Sequence, residues 1–331
     1  SSLTANTTGA SNTAVGKGTL EANTTGAQNT AVGEGALDAN TTANNNTALG
    51  FDALGANTEG TQNLAVGEES LLANTTGGQN VAIGSESMKA NTTGSNNVAL
   101  GRNALKGNTT AANNVALGMD TLVANTTGTR NLAIMKNALN ASDTEDDNIA
   151  IGYNAMTTNT AGGTYNIALG NYALDALTSG DYNVAIGYAS LGANTTGGEN
   201  TAVGGYALLT NVTGEANVGI GYASLRTNVA SSNTAMGYES MRLNTSGANN
   251  TAIGRAALYT NTTGAENVSV GKNSLLANTT GSNNVAIGVE AMDANTTGAT
   301  NVGIGKSALG SNTTGTRNIA LGPYALDASD T

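Results

Sequence analysis

The sequence lacks cysteine, histidine and tryptophan altogether, and its 331 residues include one phenylalanine, Phe51, and one proline. Without cysteine and histidine the chain has no disulfide, no thiol nucleophile, no imidazole general base and no zinc site of the usual kind. A globular domain of this length normally has aromatic side chains in its core, so the core is predicted to be thin. These absences argue against an enzyme, and the sequence indicates no cofactor.

Positive charge and long apolar runs are also scarce. The net charge is −11, which argues against nucleic acid as a partner. No apolar run approaches the roughly 20 residues of a membrane-spanning helix, so no membrane insertion by this segment is expected. Ser1 begins neither a signal peptide nor an initiator methionine, and both ends fall in the middle of a repeat. The sequence therefore predicts a segment of a longer array.

What the sequence does contain is a 17-residue repeat that occurs nineteen times. Two steps depart from this spacing, 18 residues from Asn148 to Asn166 and 16 from Asn217 to Asn233. So short a period predicts a stack of small units that bury apolar side chains only against their neighbours. An asparagine opens every copy, at Asn12, Asn29, Asn46, Asn63, Asn80, Asn97, Asn114, Asn131, Asn148, Asn166, Asn183, Asn200, Asn217, Asn233, Asn250, Asn267, Asn284, Asn301 and Asn318.

The repeats divide the chain into five segments. Residues 1–11 are a partial repeat, 12–130 are regular repeats, and 131–147 form an irregular acidic repeat. Residues 148–232 carry tyrosines and both irregular spacings, and 233–331 are regular repeats that end within a unit.

Numbered from its asparagine, the unit reads N-[T/V/L/I]-A-[V/I/L]-G-x-x-[A/S]-L-x-[A/T]-N-T-T-G-x-x. Position 3 is always alanine, glycine or serine, position 9 is leucine or methionine, and position 5 is glycine except at Met135. Basic residues occur only at positions 6, 10 and 17, and acidic residues never occur at positions 1–5, 8, 9, 11 or 12. Because unpaired charges are rarely buried, the uncharged positions are predicted to be inside or packed. Positions 6, 7, 10, 16 and 17 are predicted to face water.

The apolar residues at positions 2 and 4 alternate with period two and are mostly β-branched, which predicts one short strand per unit. Glycine at position 5 ends the strand, and positions 2, 4 and 9 are expected to form the core. Positions 6–11 suit one helical turn or a second strand, of which the second strand is favoured, and N-T-T-G predicts a turn. The expected fold is all-β, an elongated parallel β-solenoid (β-roll) of about 19 stacked 17-residue coils.

Stacking in register would place the position-1 asparagines in one column. Their amides both donate and accept, so they can form a ladder that stabilises stacked strands. The small residues at positions 3, 8 and 11 indicate close approach of another chain, so a homo-oligomer, a trimer or a filament, is expected. The structural ladder is represented by Asn29, Asn46, Asn63, Asn80, Asn97, Asn114, Asn183, Asn250 and Asn284.

The first eight positions carry the motif N-x-A-[V/I]-G-x-x-[S/A], found at 80–87 and 183–190. This motif resembles the YadA-like head repeat of trimeric autotransporter adhesins. The full form with A-L-x-x-N-T-T-G is similar to repeats of phage tail-fibre and bacterial surface-fibre proteins. The resemblance implies a parallel β-roll, three chains around a common axis, and an extracellular adhesive or spacer role. The adhesin head unit is shorter, and the N-T-T-G stretch has no place in it.

Two polar features of the turn are candidate surface sites. Threonines at positions 13 and 14 would form columns like those on ice-binding β-solenoids, although the following glycine indicates a bend. Asparagines at position 12 fit the N-x-[S/T] glycosylation pattern, while a turn stabilised by asparagine is the favoured interpretation. These are Asn23, Asn40, Asn74, Asn91, Asn108, Asn125, Asn194, Asn211, Asn244, Asn261, Asn278, Asn295 and Asn312.

Exposed aromatic side chains are the third candidate. At outward positions 6 or 7 they could bind sugar rings or a protein, and a self-packing ladder or subunit contact is the favoured alternative. They are Tyr153, Tyr172, Tyr188, Tyr206, Tyr222 and Tyr238.

A carboxylate cluster is the fourth candidate. Asp143, Glu145, Asp146 and Asp147 are weak candidates for calcium, which takes six to eight oxygen ligands. The glycine-rich nonapeptide of calcium β-rolls is absent, so a solvated acidic bulge is favoured. The same cluster lacks the basic or aromatic companions of a sugar-cleaving site. Ala328-Ser329-Asp330-Thr331 repeats the start of this bulge, at 141–144, eleven units later, which suggests a higher-order period.

The leading functional interpretation is a structural or adhesive segment of an extracellular, cell-surface or virion fibre that acts as a rigid repetitive rod. The alternative is a glycan- or ice-binding β-solenoid that uses the threonine columns or the tyrosines. Self-association is the expected partnership, and a host-surface glycan or protein is a further candidate partner.

Overall fold

A computed structural model describes residues 1–327, and within that range every repeat contributes one three-residue strand and no helix occurs. The chain divides into two compact units, Ser1–Tyr165 and Asn166–Thr331. Residues 328–331, with the proposed higher-order repetition, lie outside the described part. The all-β solenoid expected from the repeat is confirmed.

The strands occupy positions 2–4 of each repeat. In the first unit they are Thr13–Val15 (β1), Thr30–Val32 (β2), Thr47–Leu49 (β3), Leu64–Val66 (β4), Val81–Ile83 (β5), Val98–Leu100 (β6), Val115–Leu117 (β7), Leu132–Ile134 (β8) and Ile149–Ile151 (β9). In the second unit they are Ile167–Leu169 (β10), Val184–Ile186 (β11), Thr201–Val203 (β12), Val218–Ile220 (β13), Thr234–Met236 (β14), Thr251–Ile253 (β15), Val268–Val270 (β16), Val285–Ile287 (β17), Val302–Ile304 (β18) and Ile319–Leu321 (β19).

Within each unit the strands are parallel and pair in chain order, each residue opposite its own equivalent. Val81 pairs with Val98 and Ala82 with Ala99. The 16-residue repeat keeps this register, since Val218 still pairs with Thr234. Its missing residue is absorbed in the turn, where Asn228 Nδ2 donates to the carbonyl two residues ahead rather than three. The 16-residue spacing therefore changes a turn and leaves the strand pairing intact.

Positions 6–11 form neither the favoured second strand nor a helical turn. Residues at positions 7 and 9 have left-handed backbones, with φ of 55° at Glu69 and 52° at Leu71. A helix or a strand needs several consecutive residues in one conformation, and this alternation prevents both. The backbone N–H groups still bond to neighbouring coils, as from Glu69 to the Phe51 carbonyl at 2.8 Å and from Leu71 to the Ser87 carbonyl at 3.0 Å.

Positions 2 and 4 were expected to face the core, but their side chains point outward. The position-3 side chain points into the coil, and Ala82 is fully buried. Position 4 is partly exposed, to 47% at Leu49 and 37% at Ile186. Position 9 is buried as predicted except at Leu326 in the last repeat. Its bulk explains the small residue at position 3, since a Cβ on Gly303 would lie 2.8 Å from Met292 Cγ. A 17-residue coil is too narrow for three large side chains.

This packing also explains why the residues at positions 3 and 8 are small. Ala82 and Ala104 are fully buried inside the coils of the same chain. They are small because the leucine or methionine column fills the interior, so they are not evidence that another chain approaches.

Candidate functional site

The position-1 asparagines form a column. Most of its hydrogen bonds join an asparagine side chain to a backbone N–H or carbonyl group. The backbone N–H of Asn80 donates to Oδ1 of Asn63 at 3.0 Å, and its Nδ2 donates to the carbonyl of Gly94 at 2.8 Å. Direct bonds between amides occur in some coils only, as from Asn97 Nδ2 to Asn80 Oδ1 at 3.2 Å. The column therefore ties each coil to the one before it and to its own turn. All nine asparagines proposed as the ladder, Asn29, Asn46, Asn63, Asn80, Asn97, Asn114, Asn183, Asn250 and Asn284, are buried.

The position-12 asparagines stabilise the turn, as the favoured interpretation predicts, and they also form a second buried column that the repeat pattern did not predict. Asn74 donates from Nδ2 to Asn57 Oδ1 at 2.8 Å and to the Gly77 carbonyl at 2.9 Å, and it accepts from Asn91 at 2.7 Å. The Gly77 carbonyl also accepts from Nδ2 of Asn63, at 2.9 Å. Both columns therefore converge on the carbonyl of position 15. The absence of charge at position 12 was the signal that could have identified this column.

The candidate glycosylation asparagines of the N-x-[S/T] motif are buried in the position-12 column. Twelve of these thirteen asparagines are 0% exposed, and Asn312 is 3% exposed. Their Nδ2 atoms donate to the turn carbonyl of the same coil, as Asn23 does to Gly26 and Asn295 to Gly298. A glycan on that nitrogen would need the space that the neighbouring coil occupies, so the folded coils leave no room for it.

The two threonine columns differ in the availability of their hydroxyl groups. At position 13 the hydroxyl is used inside the stack, since Thr75 donates to the Thr92 carbonyl at 3.0 Å. At position 14 the side chain is exposed, as at Thr76. Each regular turn therefore offers one threonine column to solvent rather than two.

Five of the six candidate tyrosines form a continuous aromatic ladder in the second unit. Successive ring centroids lie 5.4–5.8 Å apart from Tyr172 through Tyr188, Tyr206 and Tyr222 to Tyr238. The rings meet edge to face where positions 7 and 6 alternate. They stack with an interplanar angle of 15° between Tyr222 and Tyr238, both at position 6. Tyr153, the sixth, belongs to the first unit and is 38% exposed.

The acidic repeat does not bring its four carboxylates together. Asp143 accepts from the Thr126 hydroxyl, Asp146 accepts from the Thr129 hydroxyl at 2.9 Å, and Arg130 binds both oxygens of Asp147 at 2.6 and 2.8 Å. The Arg130 hydrogen bond lowers the pKa of Asp147. Among residues 1–327 no group of three or more acidic side chains is placed to hold a metal ion. The geometry therefore does not favour calcium.

Glu145 is buried, so the predicted solvated bulge is wrong at this residue. Its Oε2 accepts from the Ser142 hydroxyl at 2.9 Å and from the N–H groups of Asp143 at 2.7 Å and Thr144 at 3.1 Å. Its Oε1 accepts from the N–H of Gly162 at 3.2 Å. Gly162 lies in the turn of the 18-residue repeat, so the carboxylate links the two irregular coils.

Ser142 and Glu145 together replace the usual pair of asparagine at position 12 and glycine at position 15. In a regular coil a Cβ at Gly77 would lie 2.3 Å from the Gly94 carbonyl oxygen and 2.5 Å from Asn74 Oδ1. Beside a position-12 asparagine the 17-residue repeats carry nothing larger than alanine there, as at Ala43, so a longer side chain at position 15 enters the space of the amide. Glu145 enters that space because Ser142 is short. The buried Oδ1 of Asn125 in the preceding coil has no hydrogen-bond partner, as is also the case for Asn194 and Asn211.

We expect Ser142→Asn and Glu145→Gly each to destabilise the chain by about 2 kcal/mol, because the first overfills the space and the second leaves buried N–H groups unpaired. The double variant should recover about 2 kcal/mol of the summed loss, since the two substitutions together recreate the regular pair of asparagine and glycine. Urea unfolding of the four proteins measures this coupling. Strictly additive losses would show that the two positions are independent.

An ion-pair network joins positions 7 and 10 in the first unit. Glu86 accepts from Lys106 at 2.6 Å and from Lys89 at 3.0 Å, and Lys89 also binds Glu69. The hydrogen bonds from Lys106 and Lys89 lower the pKa of Glu86 to about 2. These side chains are partly exposed, by 26–39%, at positions 7 and 10 that are predicted to face water, and ion pairs that solvent can reach contribute little stability.

Comparison with known protein families and with curated protein sequences finds no match. Within residues 1–327, no helix has the length and hydrophobicity required to cross a membrane. The surfaces that can carry a functional proposal are therefore the strand face, the position-14 threonines and the tyrosine ladder.

Proposed function

We propose that this chain is a rigid, repetitive structural segment of an extracellular or virion fibre that self-associates through its strand face. The outward positions 2 and 4 carry this proposal. Position 4 is valine, leucine, isoleucine or methionine in every repeat, and position 2 is one of the first three or threonine. No charged residue occurs at positions 1–5 of any repeat.

The strand face has the properties of a subunit interface. Its side chains are partly exposed in the single chain, as at Leu100, Ile253 and Ile287. A contiguous, uncharged aliphatic patch on a soluble protein marks an interaction site. A second copy is the favoured occupant, because identical faces repeat with the same coil spacing of about 4.8 Å and can match along their length.

The internal bonding supports a mechanical role. Each regular coil is joined to its neighbours by strand pairs, by two asparagine columns and by the position-13 threonine bonds, as between Thr92 and Thr109. Such repeated nearest-neighbour contacts make solenoids stiff along the stacking direction. The extracellular setting rests on the resemblance of the N-x-A-[V/I]-G repeat to surface-fibre repeats.

We expect the chain to be oligomeric at micromolar concentration, and the double variant Ile186→Glu/Ile253→Glu to associate at least tenfold more weakly, because it would bury unpaired charges in the interface. The matched control is Thr196→Glu/Thr263→Glu, which places the same charges at exposed position 14 of the same two repeats. Light scattering coupled to size exclusion measures both. A monomeric wild-type chain, or an unchanged oligomer in the isoleucine variant, would refute self-association through this face.

Glycan binding is a second candidate function, favoured by the partly exposed tyrosine ladder of the second unit. Ice binding has less support, because the position-13 hydroxyl groups are used inside the stack.

A further inference from the structure

A groove of about 330 Å³ lies beside the carboxyl-terminal end of the tyrosine ladder. It is lined chiefly by Tyr206, Tyr222, Arg226, Tyr238, Glu239 and Arg242, all within the second unit. These side chains occupy positions 6, 7 and 10, which lie off the aliphatic strand face. A ligand in this groove would therefore leave the proposed self-association surface free.

The two arginines of the groove differ in their hydrogen-bond and ion-pair partners. Arg242 donates to Glu239 at 2.9 Å and to the Tyr259 hydroxyl at 2.8 Å. Arg226 lies over the Tyr206 ring with its Cζ 5.9 Å from the ring centroid. Within residues 1–327 it forms no ion pair with a carboxylate. Its guanidinium therefore has donors available for an anionic group on a ligand.

The groove begins a basic strip in an otherwise acidic chain. In the four repeats that begin at Asn217, Asn233, Asn250 and Asn267, positions 6, 7 and 10 carry one acidic residue, Glu239, against four basic residues. The strip has a formal charge of +3, four minus one, whereas the whole chain has −11. A local excess of positive charge of this kind concentrates anionic ligands. The basic residues are Arg226, Arg242, Arg255 and Lys272.

We propose that this groove binds a linear saccharide whose sugar rings carry carboxylate groups, with the saccharide chain running along the coil axis. The proposal deepens the glycan-binding candidate and is independent of self-association. Tyrosine rings that are about half exposed, as at Tyr222 and Tyr238, offer an apolar surface for the C–H groups of a pyranose and a hydroxyl for its polar groups. Arg226 can hold a carboxylate in bidentate geometry.

The repeat spacing favours an extended saccharide. Coils stack about 4.8 Å apart, which is close to the length of one hexose residue in an extended chain. Successive sugar rings can therefore meet equivalent positions on successive coils. Arg226 and Arg242 occupy position 10 of consecutive repeats, and Arg255 occupies position 6 of the next repeat, so a basic side chain recurs on three successive coils.

A single-stranded nucleic acid is the main competitor, because it also combines stacking with anionic charge. The close contacts between the rings of the tyrosine ladder argue against nucleic acid. Its rings already contact one another, at 5.8 Å between Tyr206 and Tyr222 and 5.6 Å between Tyr222 and Tyr238. A base cannot enter between rings at that separation, whereas a sugar can lie across their exposed sides.

The test is calorimetric titration of the whole chain with an α-1,4-linked galacturonic acid hexamer and with its fully methyl-esterified form. We expect the acid to bind, and the neutral ester to bind at least tenfold more weakly because it cannot pair with the arginines. Arg226→Gln and Tyr222→Ser should each weaken acid binding about tenfold. Arg102→Gln is the matched control, since Arg102 is an exposed position-6 residue of the first unit whose repeat has no tyrosine, and it should bind like the wild type.

Several results would overturn the proposal. They are no binding of the acid at millimolar concentration, equal affinity for the ester, and unchanged affinity in Arg226→Gln. Tighter binding of a thymidylate hexamer would assign the groove to nucleic acid instead. Thermal melts of Arg226→Gln and Tyr222→Ser that match the wild type establish that lost binding is not lost folding. Equal ester binding would leave glycan binding in place and remove only the acidic specificity.

Discussion

Replacing Gly84 by alanine is expected to lower the free energy of unfolding by about 3–5 kcal/mol. Gly84 occupies position 5 with φ of +132°, and a Cβ there would lie 2.6 Å from the backbone carbon and oxygen of Gly101 in the next coil. These obstacles are main-chain atoms, so no side-chain rotation can remove the clash. The coils cannot separate either, because strand bonds on both sides fix their spacing.

Gly78→Ala is the matched control for this prediction. Gly78 occupies position 16, where its Cβ would lie 3.1 Å from the Thr61 carbonyl and the backbone φ is not positive. Other repeats carry alanine or asparagine at position 16, as at Ala27 and Asn44. We expect this variant to unfold within about 1 kcal/mol of the wild type. Thermal or urea unfolding measures both variants. Equal losses of stability would show that the clash between a Cβ at position 5 and the backbone of the next coil does not cause the loss.

The natural exception at position 5 agrees with this interpretation. Met135 has φ of 84°, whereas the glycines at this position in the two neighbouring coils have φ of 135° at Gly118 and 148° at Gly152. The nearest approach is also longer there, since a Cβ on Gly118 would lie 2.9 Å from the Met135 carbonyl carbon. A side chain at position 5 is therefore accompanied by a different backbone conformation.

Removing one asparagine of the position-12 column should have the second-largest effect. We expect Asn74→Ala to destabilise the chain by about 3 kcal/mol, from one orphaned buried acceptor, lost hydrogen bonds and a cavity. The orphan is Oδ1 of Asn57, whose donor is Asn74 Nδ2. The Gly77 carbonyl keeps its bond from Asn63, and Asn91 keeps its bond to Gly94, which limits the loss.

Thr76→Ala is the control for the asparagine column, because Thr76 lies two residues away in the same turn and is exposed. It should change the free energy of unfolding by less than about 0.5 kcal/mol. Amide hydrogen exchange adds a local measurement, since protection should fall first in the coils on either side of Asn74. If Asn74→Ala matched its control, the amide column would contribute nothing to stability.

The repeat pattern predicted the strands well and their orientation poorly. Period-two alternation at positions 2 and 4 separates two faces of a strand, but it does not say which face is inside. Large side chains at Leu49 and Ile186 suggested a buried face, whereas the coil interior accepts only the small position-3 residue. The absence of charge was ambiguous in the same way, because an uncharged outer face and a buried face have the same residue pattern.

The stacking of the position-12 asparagines into a column and the burial of Glu145 were not predicted, for a related reason. An N-x-T motif and an acidic run are read from neighbours along the chain, while both features are decided by the coil above or below. Asn74 is buried because Asn57 and Asn91 stack on it, and Glu145 is buried because Gly162 donates to it. Leucine at position 9 gives no sequence signal for a left-handed backbone, yet Leu71 has φ of 52°.

By itself the sequence determined the period, the strand at positions 2–4, the glycine after it and the in-register stacking, since all of these follow from residue types that recur at fixed spacing. The folded coil alone decided which strand face is inside, how positions 6–11 run, and which asparagines and carboxylates are buried. The physical reason is that these properties depend on the width of the coil and on the coils stacked against it. The order of residues within a single repeat gives neither the coil width nor the contacts with the neighbouring coils.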